Sequence, residues 1–398
     1  MKKIYYGKAV YDNREISAVL KVLKNDSLSL IDGKKVKALE KKVSSIFGKK
    51  YGLMVNSGSS ANLLALSSFK FKKGSEIITP NLTFSTTVAP IYQLGLVPHF
   101  VGVEENKFVT DPSHIEKCIN KKTVALMIPN LLGNIADWKK IFKIAKKYKL
   151  KIIEDSADTI GYTVNKKHLG KFSDISTNSF YASHIINGAG TGGIVCFNDF
   201  ELYQKAKLLR GWGRSSATFN ESENATKRFS VKVSGIDYDA KYIFSDLGYN
   251  FLPSEISAAF ALEQIKKLKN NIFIRNKNFN YLKKFFSNYD KLFKLPEQNP
   301  GVKTPWLAFP LVIKKNNIFN RKQMQNYFEK NNIQTRTIFT GNILKQPVMK
   351  NRYYKKHSKC DHTANDVMRN GILLGCHQGM VKSELEYICK TFKRFIKQ

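Results

Sequence analysis

Four short stretches of the chain hold residues whose type and placement could do chemistry. In "KIIEDSADTIG" an apolar run ends at Asp155, with Asp158 three residues on. At the carboxyl end of a strand in an α/β sheet, a carboxylate faces the ligand crevice. Once buried it needs a cationic partner, and a protonated ring nitrogen would serve. The more ordinary alternative is that Asp155 caps the following segment and that Asp158 faces solvent. "NSGSSANLLAL" places Gly58, Ser59 and Ser60 where a strand turns into a helix. Backbone N–H groups and hydroxyls there make an anion site suited to phosphate, or else a plain N-cap with a glycine turn. Phe84 in "TPNLTFSTT" follows a strand end, where its ring could stack on a flat heteroaromatic group or enter the core. "SFYASHIINGAGTGG", residues 179–193, reads as a buried strand running into a glycine-rich turn, and it carries His184. An imidazole with a pKa near about 6.5 suits general-base work, although a buried core histidine would look the same in sequence.

The elements that must position these residues alternate in type. "GKKVKALEKKVSSIFG" sets Val36, Leu39, Val43 and Phe47 at helical spacing and stops at Gly48. Strand "YGLMVN", helix "SANLLALSSF", strand "EIITP", helix "FSTTVAPIYQLG" and strand "VPHFVGV" follow. Then come strand "TVALMIP", helix "DWKKIFKIAKKYK" with Trp138, Ile141, Phe142 and Ala145 inward, and strand "KIIED". The pattern predicts a mostly parallel sheet covered on both faces. Residues 211–250 are polar, dotted with aromatics and aperiodic, which reads as a long functional loop. "PSEISAAFALEQIKKL" opens a long helix leading to a smaller α+β region. That region has a strand at "WLAFPLVIK" and helices at "RKQMQNYFEKNN" and "SELEYICKTFKRF".

Bulk composition narrows the function classes. A chain of 398 residues with 42% hydrophobic and 12% aromatic residues buries a sizeable core and leaves little room for disorder. It has no run of 18 apolar residues, so no membrane span is expected. Its start lacks the apolar stretch of a signal peptide, and the expected location is the cytoplasm. The five cysteines are odd in number and scattered without CxxC spacing, so reduced thiols are expected, with no disulfide framework and no metal site. A formal charge of +35 fits either nucleic-acid binding or lysine-rich solvated helix faces. Lysine outnumbers arginine and no nucleic-acid motif accompanies it, so no nucleic-acid partner is expected; steering of a charged nucleotide ligand is a secondary benefit.

"SGSSANLLAL", "EIITPNLTFSTT", "IEDSADTIG", "SFYASH", "GTGGIV", "LGYNFLPSEISAAFALEQI" and "FTGNILKQP" occur in this order along nearly the whole chain. As a set they resemble the fold-type I pyridoxal-phosphate enzymes of nucleotide-linked keto-sugars, the sugar aminotransferases and their dehydratase relatives. The resemblance implies a large domain over 1–265 with a mostly parallel seven-stranded sheet, and a small α+β domain over 266–398. It implies that Gly58, Ser59, Ser60 and Ser179 hold the cofactor phosphate and that Phe84 stacks on the ring. Asp155 would meet the ring nitrogen and Asp158 the ring hydroxyl. Asn250 would reach the phosphate of a partner subunit, in a homodimer with shared active sites.

The family's Schiff-base lysine falls on His184, which cannot form that bond. One branch of the family carries histidine there: 3-dehydratases that remove the C3 hydroxyl of a nucleotide-linked 4-keto-6-deoxy sugar, using pyridoxamine phosphate. Some of these hold an iron–sulfur cluster on cysteines after "GWGR"; here Ser216, Thr218 and Thr226 stand in that region, and hydroxyls do not ligate such a cluster. The resemblance therefore implies the clusterless subtype, with glutamate restoring the amine form. An aminotransferase working without the lysine and a non-catalytic binding protein on the same scaffold are the competing readings. Two positions depart from the family pattern: Thr191 stands where an acid is usual, and Leu252 where arginine is common. Arg214, Arg336 and His377 are candidates for carboxylate or pyrophosphate contacts, with solvated surface as the alternative for each.

Overall fold

Strand residues sort onto two faces by the parity of their position, because successive side chains point to opposite sides of a sheet. Leu53, Val55, Ile77, Ala125, Met127, Ile153, Ile175 and Val195 enter one apolar layer, and Met54, Ile78, Leu126, Ile128, Ile152 and Ile194 the other. Both faces are covered, which is why these strands read as continuous apolar runs. The computed structural model describes residues 2–24, 30–166, 168, 170–218 and 224–397.

In chain order, α1 (Asn13–Lys24) and α2 (Lys34–Ile46) precede β1 (Tyr51–Val55). There follow α3 (Gly58–Ser68), β2 (Glu76–Pro80), α4 (Ser85–Gln93), β3 (Val97–Val101), α5 (Pro112–Cys118) and β4 (Thr123–Pro129). Next are α6 (Trp138–Lys147), β5 (Lys151–Asp155), β6 (Thr163–Val164), β7 (Ile175–Ser179), β8 (Gly193–Phe197) and α7 (Phe200–Arg210). After α8 (Ala225–Phe229) and a hairpin of β9 (Val231–Val233) and β10 (Ile236–Tyr238) comes the long α9 (Glu255–Phe286). The chain ends with β11 (Phe293–Lys294), β12 (Val302–Lys303), β13 (Phe309–Ile313), α10 (Arg321–Lys330), β14 (Lys355–Lys356), α11 (Asp361–Asn370), β15 (Gly371–Leu374) and α12 (Lys382–Phe395).

The main sheet runs β1-β8-β7-β5-β4-β2-β3-β14, with β8 antiparallel to both neighbours and the remaining pairs parallel. Among the described residues it has eight strands, one more than expected. The eighth is the two-residue β14, pairing Lys355 and Lys356 with His99 and Phe100, and two lysines carry no strand signal in sequence. The segment 211–250 also differs from expectation. Its described part contains α8 and a hairpin, whose side chains are largely exposed and so leave no periodic apolar imprint. Residues 219–223 of that segment lie outside the described residues.

A three-stranded antiparallel sheet, β11-β13-β15, packs on α10, α11, α12 and the second half of α9 through Phe279, Phe286, Phe293, Phe309, Phe328 and Phe392. The expected boundary at 265/266 falls inside continuous α9, which sends Ala258, Ala261 and Leu268 into the large core and Leu282 into the small one. The N-terminal segment also crosses over: Ile4 bridges to Ile333 and packs in the small core.

Candidate active site

The carboxyl ends of β1, β2, β5 and β7 deliver Gly58, Phe84, Asp155, Asp158 and Ser179 to one cavity of about 430 Å³. Tyr6, Asn62, Tyr181, Ser183, His184, Thr191, Leu307 and Phe339 complete much of its wall. At one end, α3 starts at Gly58, and its Ser57 N-cap accepts the backbone N–H of Ser60 at 3.1 Å. A side chain at Gly58 would bring its Cβ within 2.6 Å of the Ser179 Cβ, so glycine permits the helix to meet the end of β7. Free N–H groups of the first turn, Ser59 and buried Ser179 form an anion cradle there.

The other end is acidic and buried. Asp155 is buried; its Oδ2 accepts from Asn62 Nδ2 and Thr87 Oγ1, each at 2.8 Å, and its Oδ1 from the Ala157 N–H at 3.1 Å. Burial raises its pKa above the ordinary carboxylate value, against the pull of those hydrogen bonds. Asp158 is buried too, accepts the Leu132 N–H at 2.8 Å, and is pushed up to about 8, by burial first and then by Asp155. Neither carboxyl has a cation within ion-pair distance among the described residues. Two uncompensated carboxyls at one end and an anion cradle at the other fit a flat, cationic heteroaromatic group with a phosphate tail. Phe84, half exposed at the N-cap of α4, stands at the rim with its ring edge-on to Phe339 at 6.1 Å.

β7 stops at Ser179, so most of 179–193 is turn where a strand was expected. Phe180, Ile185 and Ile186 anchor the turn in the core, and Phe180 N–H to Gly192 and Gly188 N–H to Phe180 close it. His184 is thereby set on the cavity wall, partly buried, with Nδ1 lacking a hydrogen-bond partner. Burial, helped by the Arg275 charge, pushes the imidazole down to about 4, so at neutral pH it is the free base. Thr191 donates its hydroxyl to the Asn56 carbonyl at 2.6 Å, a bond that an ionised acid at this position could not make. Gly192 follows at a φ of 124°.

The remaining expected site residues lie apart from this cavity. Arg336 lines an adjoining cavity of about 550 Å³ that shares Tyr6, Phe84 and Phe339 with the first, and its guanidinium lies 5.8 Å from the Tyr6 ring. His377 reaches neither cavity. It is buried in the small region, where its Nε2 donates to the Tyr5 carbonyl and its Nδ1 accepts the Gly379 N–H, each at 3.2 Å. Nε2 thus ties down the N-terminal segment and Nδ1 closes the loop that carries His377 itself. Arg214 stacks on Trp212 at 4.7 Å, outside both cavities. Asn250 is exposed and bridges to Gly211, away from its own chain's cavity. Leu252 packs near Gly211.

The sequence reading missed Tyr6, Asn62, Thr87, Leu307 and Phe339. Asn62 had a signal: it lies four residues after Gly58, on the same helix face as the anion cradle. Thr87 lies in the first turn of α4, three residues after Phe84, and the other three come from segments remote in sequence.

A model of the DegT/DnrJ/EryC1/StrS aminotransferase family matches residues 10–393. The chain belongs to that family. It is 34% identical to the lipopolysaccharide biosynthesis protein RfbH of Salmonella typhimurium, over 90% of this chain and 84% of that one. It is 33% identical to the GDP-4-keto-6-deoxy-D-mannose 3-dehydratase of Escherichia coli O55:H7, over 97% of this chain and 98% of that one. A crystal structure of a GDP-4-keto-6-deoxymannose-3-dehydratase with a trapped PLP–glutamate geminal diamine superposes with a TM-score of 0.86 at 30% identity, covering 98% and 99% of the two chains. The fold is that of the fold-type I pyridoxal-phosphate aminotransferases, an α/β sheet with helices on both faces. No helix among the described residues is long and apolar enough to cross a membrane.

Proposed function

We propose that the chain is a pyridoxamine-phosphate-dependent 3-dehydratase of a nucleotide-linked 4-keto-6-deoxyhexose, a cytoplasmic homodimer without an iron–sulfur cluster. The observation that carries the reading is His184 on the cavity wall with an unpartnered Nδ1, in a cavity that no lysine lines among the described residues. An imidazole that is neutral at pH 7 can accept a proton and return it, and it cannot tether a cofactor covalently.

The bound cofactor's amine form supplies an electron sink conjugated to the sugar C4, through which the C3 hydroxyl can be expelled. The chain's residues do the rest. The first turn of α3, with Ser59 and Ser179, would hold the phosphate; Ser60 stands outside the cavity wall, its N–H and hydroxyl on Ser57 Oγ at 3.1 and 2.9 Å. Asp155, fixed by Asn62 and Thr87, keeps a proton on the ring nitrogen, and Asp158 holds the ring hydroxyl. Phe84 covers one ring face against water. His184 would take the proton from the carbon next to the amine and, as imidazolium, would deliver it to the departing C3 oxygen, which leaves as water. The adjoining cavity, with Arg336 and the Tyr6 and Phe339 rings, takes the nucleotide diphosphate. Glutamate would restore the amine form, a reading supported by the dehydratase structure with its trapped PLP–glutamate geminal diamine. Asn250 lies outside its own cavity, which leaves it free to serve a partner's. Five buried, unpaired cysteines suit a reducing compartment.

The family description favours a second reading, a sugar aminotransferase. Incubation with glutamate and a panel of GDP-, CDP-, UDP- and dTDP-linked 4-keto-6-deoxy sugars separates the two by product mass. Loss of the C3 oxygen is expected; a product retaining nitrogen at C4 would overturn the dehydratase assignment.

A further inference from the structure

Helix α9 carries a charge in a place where packing alone would favour an apolar residue. Arg275 is fully buried, and among the described residues no carboxylate lies within 4.0 Å of it. Its guanidinium is held on neutral oxygens instead. Nε donates to Gln378 Oε1 at 2.7 Å, Nη1 to the Trp306 and Leu307 carbonyls at 3.0 Å each, and Nη2, at a longer 3.5 Å, to the His184 carbonyl. Burying an unpaired cation is costly, and a methionine would fill similar space without that cost. The guanidinium ties together three segments: the turn bearing His184, the strand entry bearing Leu307, and the loop bearing Gln378. His184 and Leu307 both line the cavity.

We propose that Arg275 is a positioning residue for His184, fixing the turn that carries the imidazole and setting a buried positive charge behind it. This rests on the reading of His184 as the proton-transfer group. The groups around the imidazole come from four places: Tyr181 on its own turn, with rings 5.8 Å apart, Tyr6 on the N-terminal segment, Asp155 and Asp158 at the end of β5 and beyond it, and Arg275 on α9. Once ionised, the two carboxyls favour the imidazolium; the guanidinium opposes it from the protein side, where low dielectric strengthens the effect. The result is an imidazole kept free to accept a proton. The backbone bond to the His184 carbonyl keeps it aimed while the rest of the turn is anchored in the core.

The test compares wild type, R275M and R275K as cofactor-loaded proteins, following His184 by NMR titration of labelled histidine and the acid limb of the kcat–pH profile. In R275M the His184 pKa should rise by about half a unit or more, burial still holding it below about 6.5, with the kinetic limb moving alongside. R275K retains the charge and loses the fork, so His184 should titrate within about 0.2 units of wild type while kcat falls about tenfold. A His184 titration unmoved in R275M would overturn the proposal. If R275M does not fold, R275K decides, and wild-type kcat together with wild-type His184 line shapes would overturn the positioning role. The titration needs no sugar, so a failure of the deoxygenation reading would leave it unchanged.

Discussion

Replacing Asp158 by asparagine should stabilise the cofactor-free protein at alkaline pH while weakening its grip on the cofactor. Asp158 is buried, receives one backbone hydrogen bond, from Leu132 at 2.8 Å, and is pushed from 3.8 up to about 8. Because the folded pKa lies above the unfolded one, the folded state holds the extra proton between these values. Stability therefore falls as pH rises from about 4 to about 8. Four units at about 1.4 kcal/mol each set an upper bound of about 5–6 kcal/mol on that loss. Water entering the open cavity lowers the penalty to about 2–4 kcal/mol. Asparagine still accepts the Leu132 N–H but brings an amide N–H that costs about 1 kcal/mol if unpaired. The net expectation for D158N over wild type is a gain of about 2 kcal/mol at pH 8.5 and little gain at pH 5. Urea unfolding of the cofactor-free proteins at the two pH values measures this. An equal difference between the two proteins at both values would refute the argument that Asp158 is a charge waiting for a cation.

Other expected outcomes follow from the same geometry. H184K should lose deoxygenation and capture the cofactor on the new amine, seen as absorbance that survives dialysis; undiminished deoxygenation would remove His184 from its role. T191V deletes the hydroxyl bond to the Asn56 carbonyl, worth about 1 kcal/mol, so cofactor should leave about fivefold faster in stopped-flow dilution while turnover at saturating cofactor persists. An unchanged release rate would mean that the turn does not need this tie.

What could be read from sequence depended on where each residue's signal was written. Asp155 was legible because an apolar strand ends on it, and the Gly58 cradle because a strand turns into a helix there. The doubly covered sheet was legible because its strands are apolar on both faces. Tyr6, Leu307 and Phe339 were not legible, since only tertiary folding brings the N-terminal segment and the small region over the large sheet. β14 was missed because two lysines carry no strand signal, although backbone pairing with β3 and the Lys355 ammonium on Glu76, at 2.7 Å, hold them at the sheet edge. His377 looked like a ligand-facing anchor and is a buried strut, a distinction that depends on contacts with Tyr5 and Gly379. Arg275 reads in sequence as one more basic residue on a long helix; its significance comes from burial without a counter-charge.

The central claim is that His184 serves the breaking of a carbon–oxygen bond. It is tested most directly in a single turnover of the pyridoxamine-loaded enzyme with a 4-keto-6-deoxy sugar nucleotide and no glutamate. The account predicts one 3-deoxy product and one ammonia per active site, by mass spectrometry and ammonia assay. A product that keeps its C3 oxygen and carries the nitrogen at C4 would contradict it.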